Sequence, residues 1–75
     1  MAEFGGRSFE EGQWYLPAEP GRAKKARRFE AYKPGRGGIQ PPWVLYQLRA
    51  YDGSLYRRSC SAQVWLKWVG ESYNG

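Results

Sequence analysis

The sequence contains no histidine and a single cysteine, Cys60, in 75 residues. The first absence removes imidazole general bases, His-assisted nucleophiles and nearly every zinc site with histidine ligands. The second removes an internal disulfide and a thiolate metal cage. A domain of this size without bridges points to a reducing compartment, here the cytoplasm. No apolar run approaches the ~20 residues that cross a bilayer, and the first residues carry neither the charged nor the apolar segment of an export signal. Acidic groups are also few: Glu3, Glu10, Glu11, Glu19, Glu30, Asp52 and Glu71. No pair of them sits in an apolar setting that would tune one as acid and the other as base. The glycine-rich stretch from Pro34 to Gly38 lacks the Lys-Ser or Lys-Thr of a phosphate-binding loop. This inventory leaves a non-enzymatic protein with no metal and no cofactor.

Aromatic rings are what the chain has in quantity, with 4 Trp, 6 Tyr and 3 Phe. One domain of this length hides only about 60–65% of the surface of its unfolded chain, so its core is thin. Each buried ring removes roughly 150–250 Å² from water, which makes the rings the expected core. The net charge is +5 and the pI about 9.7. That balance favours polyanionic partners through long-range attraction, although a basic surface also serves solubility.

Residues 1–12 are rich in Gly and Glu, with only Phe4 and Phe9 as anchors, and read as a flexible N-terminal segment. Residues 13–70 form the single small domain, and 71–75 a flexible tail. Gln13–Leu16 is a short β-prone cluster ended by Pro17. From Arg22 to Lys33 helix and strand both fit: Ala23, Ala26, Phe29 and Tyr32 recur every three residues, while Phe29 and Ala31 alternate with charged neighbours. A strand over Arg27–Tyr32 is favoured. Lys33–Pro42 is a loop. Val44–Tyr51 alternates, Asp52-Gly53 is a preferred two-residue turn, and Ser54–Cys60 continues as the second arm of a hairpin. In Ser61–Val69 the spacing of Ala62, Trp65, Leu66 and Val69 draws a helical stripe, with Ser61 as cap and Gly70 as stop. A strand with Val64, Leu66 and Trp68 on one face competes there. The expected fold is α+β: a small antiparallel β-sheet of three to four strands, built on the hairpin at Asp52 and Gly53, with one C-terminal helix. An all-β SH3-like five-stranded barrel is the alternative.

A two-residue turn sets Arg49 opposite Tyr56 and Gln47 opposite Arg58. Val44, Tyr46, Leu48, Ala50 and Leu55 then face the core. Gln47, Arg49, Tyr51, Tyr56 and Arg58 face outward. Guanidinium makes forked bonds to phosphate or guanine, Gln pairs with adenine, and Tyr stacks or bonds to phosphate, so this face suits nucleic acid. A Gly bulge at Gly53 would flip the second strand and exchange Tyr56 and Arg58 for Leu55 and Arg57. The plainer reading is an ordinary wet sheet face with cross-strand pairs worth ~0.2–1 kcal/mol each. Arg22, Lys24, Lys25, Arg27 and Arg28 add a basic run, and Arg36 a further cation in the loop. Such runs are often solvated segments, yet clustered cations also release counterions from phosphates. Trp43 and Trp68 are the tryptophans expected to stay exposed.

Trp43 opening a strand, the Asp52-Gly53 turn, Arg57 and Arg58 on the second strand, and a helix containing Ala62 and Trp65 together resemble the amino-terminal arm-binding domains of tyrosine recombinases. The similarity spans about a third of the chain. Ser59, Cys60 and Ser61 stand where that family often has a Thr-rich lead to the helix. The resemblance implies a sheet lying in a DNA groove. From the residues themselves, the leading expectation is a nucleic-acid-binding module, DNA slightly before RNA. The alternative is a protein–protein interaction domain or small inhibitor that meets an acidic partner through exposed Trp and Tyr. A second copy completing the thin core is a further partner to consider.

Overall fold

The computed structural model describes residues 1–19 and 25–73. Strand β1 (Ala2–Phe4) and strand β2 (Arg7–Phe9) form a hairpin closed by Gly5 and Gly6. Both glycines have positive φ, 61° and 76°, as a type I′ turn demands. A methyl on Gly5 would also meet the end of the Leu66 side chain, which would have to shift to admit it. Phe9 is fully buried, and Phe4 stacks on Tyr32 with ring centroids 4.3 Å apart. Arg7 donates from Nη2 to the Gly70 carbonyl at 2.7 Å and from Nη1 to the Val69 carbonyl at 3.4 Å. The flexible segment expected over 1–12 is therefore corrected. Composition favoured fraying, but two phenylalanines and one arginine tie the hairpin to the core.

The remaining strands are β3 (Trp14–Pro17), β4 (Arg27–Lys33), β5 (Trp43–Arg49), β6 (Leu55–Ser61) and β7 (Val69–Tyr73). They make a five-stranded antiparallel sheet in the order β6-β5-β4-β3-β7. Strands β6 and β7 are its two edges and do not meet, so the domain is α+β and the SH3-like closed barrel is not formed. The expected strand at Arg27–Tyr32 is present, one residue longer. The sheet exceeds the expected three to four strands because Val69–Tyr73 pairs with β3: Val69 is the last residue of the expected helical stripe, Gly70 its expected stop and 71–73 the start of the expected tail. Residues 74 and 75 of that tail lie outside the described residues.

Two irregularities fix which side chains face which way. In β4 the register against β5 shifts between Phe29 and Ala31, leaving Glu30 as a bulge. Phe29 and Tyr32 consequently both face the core although they are three apart, which is the spacing that mimicked a helix. In the β5–β6 hairpin, Gly53 donates its N–H to the Ala50 carbonyl at 2.9 Å and Ala50 donates to the Ser54 carbonyl at 2.6 Å. With Gly53 at φ 91°, this is a three-residue loop with a glycine bulge, not a two-residue turn. Arg49 thus faces Leu55, and Gln47 faces Arg57.

Helix α1 (Ala62–Trp68) follows β6 directly. Its cap is Ser61, whose Oγ accepts from the Val64 N–H at 3.2 Å. Ala62 and Trp65 point inward, and Val69 leaves the helix extended to begin β7. Trp65 is wholly buried, ringed by Phe9, Tyr15, Phe29, Tyr46 and Trp68 at centroid distances of 5.3–6.1 Å. Its Nε1 finds no acceptor among the described residues. Helix and N-terminal hairpin pack on the same, inner face of the sheet. No described helix is long and apolar enough to cross a membrane.

Trp65→Ala should cost about 3–5 kcal/mol, most of the stability of so small a domain, and leave the chain largely unfolded by circular dichroism at 25 °C. Phe9→Ala should cost a similar amount in urea titration. A loss below ~1 kcal/mol would show that the N-terminal hairpin is not part of the cooperative core.

Candidate nucleic-acid interface

With the core on the inner face, strand alternation sends Leu45, Gln47 and Arg49 of β5 to the outer face, and their cross-strand partners Ser59, Arg57 and Leu55 with them. Arg28 of β4 lies opposite Gln47 and joins that face, as does Trp14 of β3, which lies opposite Arg28. Contacts between the side chains follow this layout. Arg28 donates from Nη1 to Gln47 Oε1 at 3.1 Å and from Nε to the Gly12 carbonyl at 3.2 Å. The Arg49 guanidinium lies 5.1 Å from the Trp14 ring centroid. Arg57 Nη2 meets Glu30 Oε1 at 2.9 Å, the bulge having placed that carboxylate outward.

The inner face carries a second group at the hairpin end of the sheet. Arg27 is sandwiched between Trp68 at 4.3 Å and Tyr46 at 4.7 Å. Arg58 lies 5.5 Å from the Tyr56 ring. Tyr56 and Arg58 therefore sit on the opposite side of the ribbon from Gln47 and Arg49. The expectation that all four share one face is corrected, and the cause is the glycine bulge at Gly53, which shifts the second strand by one residue.

Beyond the last β4–β5 pair, Arg28 opposite Gln47, the chain runs on as a two-stranded ribbon: Leu48 against Tyr56, then Arg49 against Leu55, then the turn. At about 3.3 Å per residue the tip stands roughly 13 Å past that pair. Tyr51 occupies it, fully exposed. The neighbouring Asp52 turns back into the loop, where Oδ1 accepts from the Ser54 hydroxyl at 2.6 Å and the Ser54 N–H at 3.0 Å. Those bonds hold its carboxyl below the usual range, the hydroxyl contributing most.

Arg27, Arg28, Arg49, Arg57 and Arg58 thus converge on one end of the described structure, with exposed Lys25 just before β4. Arg22 and Lys24 lie outside the described residues. Arg36 is not brought to this end: it sits in the 34–42 loop, where it bridges to Gln40, and that loop joins β4 to β5 at the far end of the sheet. Cys60 is half-buried, and burial pushes its thiol up although the charge of Arg27 pulls the other way. Trp43 and Trp68 are half-buried rather than exposed, Trp68 because it covers Arg27. Trp14, Trp68 and Glu30 were not evident as site residues in the sequence, since each is joined to its arginine by pairing across strands or by a bulge. Comparison with family models, with curated proteins and with solved structures finds no match to this chain.

Because the carboxyl of Asp52 titrates lower in the folded turn than its unfolded value of about 3.9, its support for the loop is complete above that value and disappears as pH falls through the folded one. The Ser54 amide resonance should hold steady from pH 7 to about 4.5 and move only below about 4. In Asp52→Ala it should show no such step.

Proposed function

We propose that the domain binds nucleic acid through the arginine-bearing hairpin end of its sheet, DNA slightly before RNA. The observation that carries the reading is the way these arginines are held. Arg27, Arg49 and Arg58 lie over aromatic rings, which fixes the plane of each guanidinium while leaving N–H groups at its edge. A guanidinium held this way loses little freedom when its fork meets a phosphate or a guanine edge. Among the described residues, the ionic contact to this set is the Arg57–Glu30 pair, at the surface, where such pairs contribute little. Against Glu30 and the Asp52 carboxylate at the tip, the five arginines and Lys25 leave this end positively charged. Lone Cys60 fits a reducing compartment such as the cytoplasm.

Protein recognition is the second reading, and one feature favours it. An open groove of about 600 Å³ at the opposite end is lined by Tyr32, Pro34, Ile39, Pro41 and Pro42, with Ile39 85% exposed.

Binding of a labelled duplex and of a single strand, each measured at two salt concentrations, separates the readings. Affinity should fall steeply with salt, as phosphate neutralisation requires. Arg49→Ala and Arg58→Ala remove exposed side chains from opposite faces and should leave the circular dichroism spectrum intact. Together they should lower the slope of log K against log salt by roughly 1.4–1.8, two phosphate contacts' worth. Affinity insensitive to salt would overturn the electrostatic mechanism, and an unaltered slope in the double variant would move the site away from the hairpin end.

A further inference from the structure

We infer that the hairpin tip is a base-stacking wedge, in which Tyr51 lays its ring on an unstacked nucleobase, so that the ligand class is nucleic acid with unpaired bases. This inference rests on the nucleic-acid reading above and names the form of the ligand. Tyr51 is 110% exposed and Leu55 beside it 43%, at the point of the ribbon furthest from the aromatic core. Burial gives neither side chain a reason to be apolar there. The turn that carries the ring is stiff: Ala50 and Gly53 close it through backbone bonds, and Asp52 and Ser54 lock its far side. Behind the tip Arg49 and Arg57 lie on one face of the ribbon and Arg58 on the other, roughly 7 to 17 Å back along the strands, so charge for the backbone lies on both faces behind the ring.

The dimensions of the sheet favour the tip as the leading contact. Five strands spaced about 4.8 Å apart span roughly 19 Å, wider than a major groove of about 12 Å. The ribbon is narrow enough to enter. Stacked bases inside a duplex offer only their edges, and an aromatic side chain reaches a base face there only after unstacking it, at a cost of a few kcal/mol. A single strand or an opened site presents the face without that cost, and stacking on it tolerates any sequence.

The test uses the full chain and an oligonucleotide with one 2-aminopurine, single-stranded and then annealed to its complement. Binding of the single strand should change 2-aminopurine fluorescence, and binding of the duplex should change it little. Tyr51→Ala should abolish the change and weaken single-strand binding by roughly 5- to 150-fold, the range of one lost base–aromatic stack. Duplex affinity and the salt slope should stay near those of the unaltered protein, and Tyr51→Phe should behave as the unaltered protein. Single-strand binding by Tyr51→Ala at full strength, or an equal loss on both ligands, would overturn the wedge while leaving the nucleic-acid reading intact. If the unaltered protein binds neither ligand at low salt, that reading fails and the wedge fails with it.

Discussion

Trp65 is the contact on which the rest of the fold depends. It joins helix, N-terminal hairpin and sheet: Phe9 comes from β2, Tyr15 from β3, Phe29 from β4, Tyr46 from β5 and Trp68 from its own helix. A domain this small cannot build two apolar layers. Gathering most of the aromatic mass on one side of the sheet leaves the other side without a covering layer, so Arg28, Arg49 and Arg57 stand there beside Trp14, Leu45 and Leu55. The position of those three arginines is thus a consequence of core economy as much as of any ligand, and charge alone is a weak argument for function. The stronger argument lies in how particular arginines are held.

Two single-residue bulges link core and surface. Without the bulge at Glu30, strand alternation would turn Tyr32 away from the core, and Phe4 would lose the ring it stacks on. The same bulge places the Glu30 carboxylate where Arg57 reaches it. Without the glycine bulge at Gly53, Arg58 and Tyr56 would lie beside Gln47 and Arg49, and Arg57 would take the place of Arg58 on the inner face. In either register the cations are split between both faces; the bulge sends Tyr56 inward with Arg58 and pairs Arg57 with Gln47. A ribbon with arginines on two faces is suited to a ligand that surrounds it, as the walls of a groove or a strand folded over the tip would, more than to a flat partner.

What could be read from the sequence follows from how local each determinant is. The β5–β6 hairpin is written in short-range periodicity and turn chemistry and is visible without the structure, whereas the α1 helix with its Ser61 cap and the strand at 27–32 are each the favoured one of two readings, helix and strand, that the local spacing leaves open. The register of the hairpin was visible only as two alternatives, because Asp-Gly serves a two-residue turn and a glycine-bulged one equally well. The three-residue spacing of Phe29 and Tyr32 imitated a helix because a bulge in a strand adds one residue to a period of two. The N-terminal hairpin did carry a signal, a Gly-Gly pair between Phe4 and Phe9, but glutamates and glycines around it resemble a frayed end. Strand β7 had none: Gly70, Glu71 and Ser72 are poor strand residues, held in place by β3 alongside. The pairs Arg49–Trp14 and Arg27–Trp68 are likewise long-range, so the site's aromatic partners could not be named from spacing.

Those pairs also bear on why the basic residues of the sheet end are arginine. Lysine would supply the same charge, but its ammonium is compact, strongly hydrated and carried on a flexible stem. It gains less from a ring face and keeps no fixed plane. Arg27, enclosed by Tyr46 and Trp68, illustrates the difference: its guanidinium fills a slot between two rings at the margin of the core, so its loss removes packing as well as charge. Arg49 and Arg58 use one ring each and remain exposed. Arg27 is therefore the structural member and Arg49 and Arg58 the available ones, and the residues best placed to meet a ligand are those whose removal the core would notice least.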